Sequence, residues 1–161
     1  MLFGAVSISS CYSRLSRSLL ATYLDRRAPH ELARFVRPRN RFCSPVERGG
    51  EIGRFVSLVS NIEDLSEPIS ELEPDGKSVP VLVRQYLRAG GRLLGLNVDP
   101  NFSDALDALI VVDLRDAPLT LLERVMGKTD AAEFLLARNR IAASPSPSLR
   151  RFVISMKPGA M

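Results

Sequence analysis

The stretch VRQYLRAGGRLLGLNVDP, residues 83–100, joins two elements of different period with almost nothing between them. After Pro80, the apolar residues Val81, Leu82, Tyr86 and Leu87 recur at helical spacing, with Arg84, Gln85 and Arg88 between them. RLLGLNV (92–98) then reads as a strand. Gly90 is placed to end the helix in the left-handed conformation, which glycine adopts without steric penalty, and Gly91 and a single Arg follow before the strand. A helix that turns back into a strand this tightly restricts the chain to an α/β arrangement.

Other segments extend that reading. LFGAVSIS (2–9) reads as a strand, and ALIVV (108–112) is a continuous β-branched run that suits a strand covered on both faces. Ser13 sits where an N-cap would, ahead of Leu15, Leu19, Leu20, Tyr23 and Leu24 at helical spacing. A second short helix is predicted from His30 to Val36, stopped by Pro38, and residues 37–60 read as a Pro/Gly/Arg-rich connection. Residues 61–78, interrupted by Pro68 and Pro74, predict short helical turns. Asp116 and Pro118 open a helix ended by Gly127, and Asp130 with Glu133 opens another through Ala137. The Ser-Pro steps of residues 138–161 predict a disordered tail. The expected architecture is a sheet of about three strands with flanking helices in residues 1–137, and the sheet looks incomplete for 161 residues.

Composition excludes several classes. With 45% hydrophobic and 25% charged residues the chain is of soluble globular type, and no apolar run reaches the roughly 18 residues of a membrane span. MLFGAVSISSCYS lacks a basic leader region, so the expected location is the cytoplasm, with the inner face of the membrane as a peripheral alternative. Cys11 and Cys43 alone make no disulfide framework. The net charge of +4 is unevenly spread: residues 1–50 hold nine Lys/Arg against three acids, and residues 51–82 hold two against seven. Such blocks suit an acidic partner, an acidic carrier protein or anionic lipid, or simply solvated loops. Nothing resembling a nucleic-acid module accompanies the basic residues.

No metal is expected. One His and two distant Cys give no ligand spacing, and Asp99, Asp104 and Asp107 resemble a calcium loop without its sixth-position Gly or twelfth-position Glu. A catalytic triad would have to use His30, which reads better as a surface or capping residue. No phosphate-cradling glycine pattern is present. Within the block from Pro80 to Asp113 two readings stand side by side. In one, an aspartate at a strand end accepts hydrogen bonds from a cationic amine; in the other, the acids cap turns of a helix-turn-hairpin.

PVLVRQYLRAGGRLLGLNVDPNFSDALDALIVVDL (80–114) resembles the C-terminal half of bacterial ornithine-lipid-type N-acyltransferases of the GNAT superfamily. It also resembles long proteins, often labelled hemolysins, that join a glycerolipid acyltransferase domain to a GNAT domain. The pattern Pro-x-Leu-x-Arg-x-Tyr-Leu-x-x-Gly-Gly, with Asp99 eight residues on and then Phe102 and Asp107, carries the likeness. LFGAVSIS resembles the family's fifth strand, and ERVMG (123–127) continues the match.

The resemblance implies a partial GNAT-like mixed sheet. It also implies transfer of a fatty acyl group from acyl-carrier protein or acyl-CoA to an amine or lysolipid acceptor, with no tightly bound cofactor. Asp99 and Asp107 are its implied catalytic contacts to the acceptor amine. Arg84 and Tyr86 would line the acceptor side, Phe102 would contact substrate, and Gly90-Gly91 would let the helix pack closely on the sheet. Each also has a structural alternative: Arg84 paired to a surface acid, Tyr86 in the core, Asp99 forming the turn before Pro100. In the family the donor sits between the fourth and fifth strands, on amides following an Arg/Gln-x-x-Gly-x-Gly/Ala turn. That turn does not precede LFGAVSIS here, nor is the glycerolipid transferase His-x-x-x-x-Asp present, since Phe35 stands five residues after His30. The expectation is a downstream part of such an enzyme, inactive without an upstream half. The alternative is a non-catalytic interaction module, without pore-forming activity whatever a hemolysin label suggests.

Overall fold

The sequence ALDALIVV places apolar side chains on both faces of one strand, and that strand forms the middle of the molecule. In the computed structural model, which describes residues 1–27, 29–43 and 50–142, this central strand is β3 (Ala105–Val112), and every residue in it except Asp107 is buried. It pairs antiparallel with β1 (Leu2–Ile8) on one side and β2 (Arg92–Asp99) on the other. The remaining elements are α1 (Arg14–Arg27), α2 (Glu51–Leu58), α3 (Ser66–Leu72), α4 (Val81–Arg88), α5 (Leu119–Met126) and α6 (Lys128–Ala142). Short 3-10 turns cover Glu31–Phe35, Ile62–Leu65 and Pro100–Phe102.

The α/β class with three strands is as expected. The resemblance implies a mixed sheet; both ladders here are antiparallel, and among the described residues parallel pairing is limited to one bridge between Pro29 and Leu93.

Strand alternation divides the sheet's two faces. One face carries the main core, where Val6, Ile8, Leu93, Leu106 and Ile110 meet Leu20 and Leu24 of α1, Val56 of α2, Leu65, Ile69 of α3 and Val83 of α4. The other face buries Leu94, Leu109 and Val111 under Leu32 and Val36, and leaves Phe3, Ala5 and Ser7 of β1 exposed. A separate cluster of Ala117, Leu122 and Ala131 holds α5 against α6.

Local signals account for most boundaries. Ser13 Oγ accepts from the Ser16 amide at 3.2 Å, as a capping serine does. His30 is likewise a cap, its Nδ1 accepting from the Leu32 amide at 3.0 Å. Asn61 and Asp64 form a reciprocal capping box, which starts the Ile62–Leu65 turn.

Several boundaries differ from expectation: β3 begins at Ala105, three residues ahead of the expected run 108–112, and α6 begins at Lys128, ahead of Asp130. The connection predicted over residues 37–60 contains α2, because Ile52, Val56 and Val59 recur on one buried face. Asp116 is not the cap of α5; Pro118 occupies that position and makes no side-chain capping bond. Helix α6 continues five residues beyond Ala137 to Ala142, and the rest of the predicted tail, 143–161, lies outside the described residues.

The sheet's two outer edges are unlike. Along β2 the chain doubles back: the His30 amide donates to the Leu93 carbonyl at 3.0 Å and the Val98 amide to the Asn40 carbonyl at 2.9 Å. Along the outer edge of β1 no strand pairs among the described residues, and Leu2 and Phe3 are 56% and 51% exposed. An unpaired edge with exposed apolar side chains is a template for another strand.

Candidate functional site

Of the residues singled out from the sequence, Tyr86 and Asp107 reach β1, the strand with the open edge. Helix α4 buries Val83 and ends in a Schellman motif: the Gly90 amide donates to the Leu87 carbonyl at 3.0 Å and the Gly91 amide to the Tyr86 carbonyl at 2.8 Å. Gly90 has φ +81°, in the left-handed region. At Gly91 the constraint is space, since a Cβ there would stand 2.5 Å from the Tyr86 carbonyl oxygen and 2.9 Å from Ile110 Cγ2. The two glycines therefore bring the last turn of α4 directly onto β3.

This approach carries Tyr86 across to β1. A Cβ on Gly4 would lie 2.5 Å from the Tyr86 hydroxyl and 3.0 Å from its Cζ, so the ring end rests on the backbone of Gly4. Tyr86 is half-buried against the main core. Arg84 faces another way, with Nη1 3.6 Å from Glu63 Oε2, while Arg88 Nη2 holds Glu63 Oε1 at 2.7 Å. These pairs fasten α4 to the Ile62–Leu65 turn, so the charge of Arg84 is committed to a surface acid.

The acids of the hairpin stand elsewhere. Asp99 caps the Pro100–Phe102 turn, accepting from the Asn101 amide at 2.9 Å, and Phe102 is 67% exposed. Asp107 points away from the main core and accepts a 2.6 Å hydrogen bond from Ser7 Oγ of β1. Tyr86 and Asp107 thus flank β1 on opposite faces, and the structure does not bring Asp99, Asp107, Arg84 and Tyr86 into one cluster.

Two constellations have no single sequence signal. Glu73, just after α3, is buried and accepts from the Ser13 amide at 2.9 Å at the start of α1, with Lys77 Nζ 3.3 Å away. Burial pushes its carboxyl pKa up, but hydrogen bonds from Ser16, Ser13 and Lys77 outweigh this and hold it below the ordinary range. The second is a cleft of about 530 Å³ between α1, α2 and the bulged part of β2, touching Thr22, Arg26, Gly50, Gly53, Gly95 and Phe42. Among the described residues no three acidic, His or Cys side chains gather as a metal-ligand set, and no helix is long and apolar enough to cross a membrane.

No protein-family model, characterised protein or solved structure matches this chain.

Proposed function

We propose that the chain supplies the acceptor side of an acyl-transfer unit. A donor-holding strand, from an upstream segment or a companion chain, would pair with the open edge of β1. The reading rests on the resemblance of residues 80–114, and one observation carries it. The edge of β1 is unpaired where the Tyr86 hydroxyl lies on Gly4.

The chemistry is attack of a neutral amine on the thioester of acyl-carrier protein or acyl-CoA, forming the C–N bond and releasing the thiol. Edge N–H groups of β1 that the incoming strand leaves outside its pairing would be the donors for the oxyanion. Asp107, already accepting from Ser7, is an acceptor for the amine proton, directly or through water. Tyr86 shapes the opposite side of the strand. Asp99, Arg84 and Phe102 take no chemical part in this reading: Asp99 forms the turn and Arg84 anchors α4.

The test is thiol release from an acyl-carrier or acyl-CoA thioester with an amine acceptor. The isolated chain is expected to be inactive, and the chain joined to a donor-holding strand, from an upstream segment or a companion chain, active. Asp107→Asn should lower kcat more than KM. Inactivity of the joined protein, or saturable coenzyme A binding by the 161-residue chain alone, would sink the reading. The exposed Leu2 and Phe3 also favour a second reading, a non-catalytic module that associates through β1. In that case the joined protein would assemble without releasing thiol.

A further inference from the structure

The cleft between α1, α2 and β2 lies at the opposite edge of the sheet from β1, so what it binds is independent of the acyl-transfer reading. Its volume of about 530 Å³ is within the range of small-molecule sites. Thr22 of α1 lines it and is 5% exposed, yet its hydroxyl has no hydrogen-bond partner. A buried hydroxyl without a partner costs free energy unless a ligand satisfies it.

The groups around Thr22 share one preference. Helix α2 opens at Gly50, φ +68°, and among the described residues no side chain caps it, which leaves the positive end of its dipole without a capping side chain from them. Gly50 and Gly53 both line the cleft. The guanidinium of Arg26 lies against Gly53, where a Cβ would collide with it, and donates to the Gly53 carbonyl at 3.1 Å. Arg26 and Arg41 both border the same space. Asp25 is exposed at the rim and makes no ion pair among the described residues. A helix start uncapped among the described residues, two guanidiniums and an unpartnered hydroxyl together favour a compact dianion. Phe42 and Leu96 add an apolar wall beside it.

We infer that this cleft binds a small organic phosphomonoester, with the phosphate held by the start of α2, Thr22, Arg26 and Arg41, and the organic body against Phe42 and Leu96.

Phenyl phosphate and inorganic phosphate, titrated into the isotope-labelled full chain and followed by amide NMR, test this. Phenyl phosphate should give saturable shifts at Gly50, Gly53 and Gly95 and bind more tightly than inorganic phosphate. Thr22→Val keeps the shape and removes the hydroxyl. It should weaken binding roughly tenfold or more while leaving the free protein at least as thermally stable. Arg41→Ala, an exposed position, should weaken binding similarly. Absence of saturable shifts at the three glycines, or unchanged affinity in Thr22→Val, would overturn the inference. Equal affinity for the two probes would overturn the organic body and leave a bare anion site.

Discussion

Gly91 donates its amide to the carbonyl of Tyr86 at 2.8 Å, and that same oxygen stands 2.5 Å from where a Cβ on Gly91 would be. Hydrogen bond and steric limit come from one contact, so Gly91→Ala cannot relax by rotating a side chain and must push α4 off the sheet. Its expected cost is about 2–3 kcal/mol, as for overpacking in a rigid core. Gly90→Ala meets nothing closer than 3.5 Å and carries only the left-handed backbone penalty of about 1–2 kcal/mol. Denaturant midpoints with unchanged slopes check the order; an equal or larger loss for Gly90→Ala would contradict it.

Tyr86 and Gly4 should behave as one unit. Gly4→Ala places a methyl against the phenol end, which forces the ring outward at about 1–2 kcal/mol. In Tyr86→Leu the clash is gone, so the same substitution at Gly4 should cost much less. The double-mutant cycle is expected to return a coupling of about 1 kcal/mol. Additive losses would mean that the ring does not rest on β1.

How far the residues announced this structure depends on the range of the interaction. The strands at Leu2–Ile8, Arg92–Asp99 and Ala105–Val112, the Ser13 and His30 caps and the Gly90-Gly91 stop are local signals read within a few positions. Helix α2 was hidden by Gly49, Gly50 and Gly53, which look like breakers; Gly53 serves instead to seat Arg26 from 27 positions earlier. Arg84 pairs with Glu63 from another segment, while Asp99 accepts from the Asn101 amide two positions on, a turn contact that the Asp before Pro100 marks locally. The cleft draws Thr22, Gly53 and Gly95 from three separate segments, and no spacing along the chain marks such a meeting.

Glu73 illustrates the same point energetically, because its partner Ser13 is 60 positions away. It ties the start of α1 to the turn after α3, helped by Tyr12, whose hydroxyl donates to the Ser78 carbonyl at 2.6 Å. Glu73→Ala leaves the Ser13 amide without its acceptor and takes from Lys77 one of its two carboxylate partners, so a loss of about 2–3 kcal/mol is expected. Thermal or denaturant unfolding measures it. Hydrogen exchange should also quicken in the first turn of α1 and not in α5. Uniform quickening would argue against a local clasp.

Acid should destabilise the fold through two carboxylates. Hydrogen bonds from the Arg115 guanidinium hold Asp113 down to about 2 against the opposing effect of its burial, and Glu73 is also held below its ordinary range. Both groups bind protons more readily in the unfolded chain, whose carboxyls titrate near 4. Their stabilising contribution is therefore fully present above about pH 5 and is lost as pH falls through 4 towards 2. Asp113→Asn removes one of these proton sites. It should lower stability at neutral pH and flatten the decline between about pH 4 and 2, measured as denaturant midpoint against pH. A decline as steep as that of the unsubstituted chain would show that Asp113 is not depressed in the folded state.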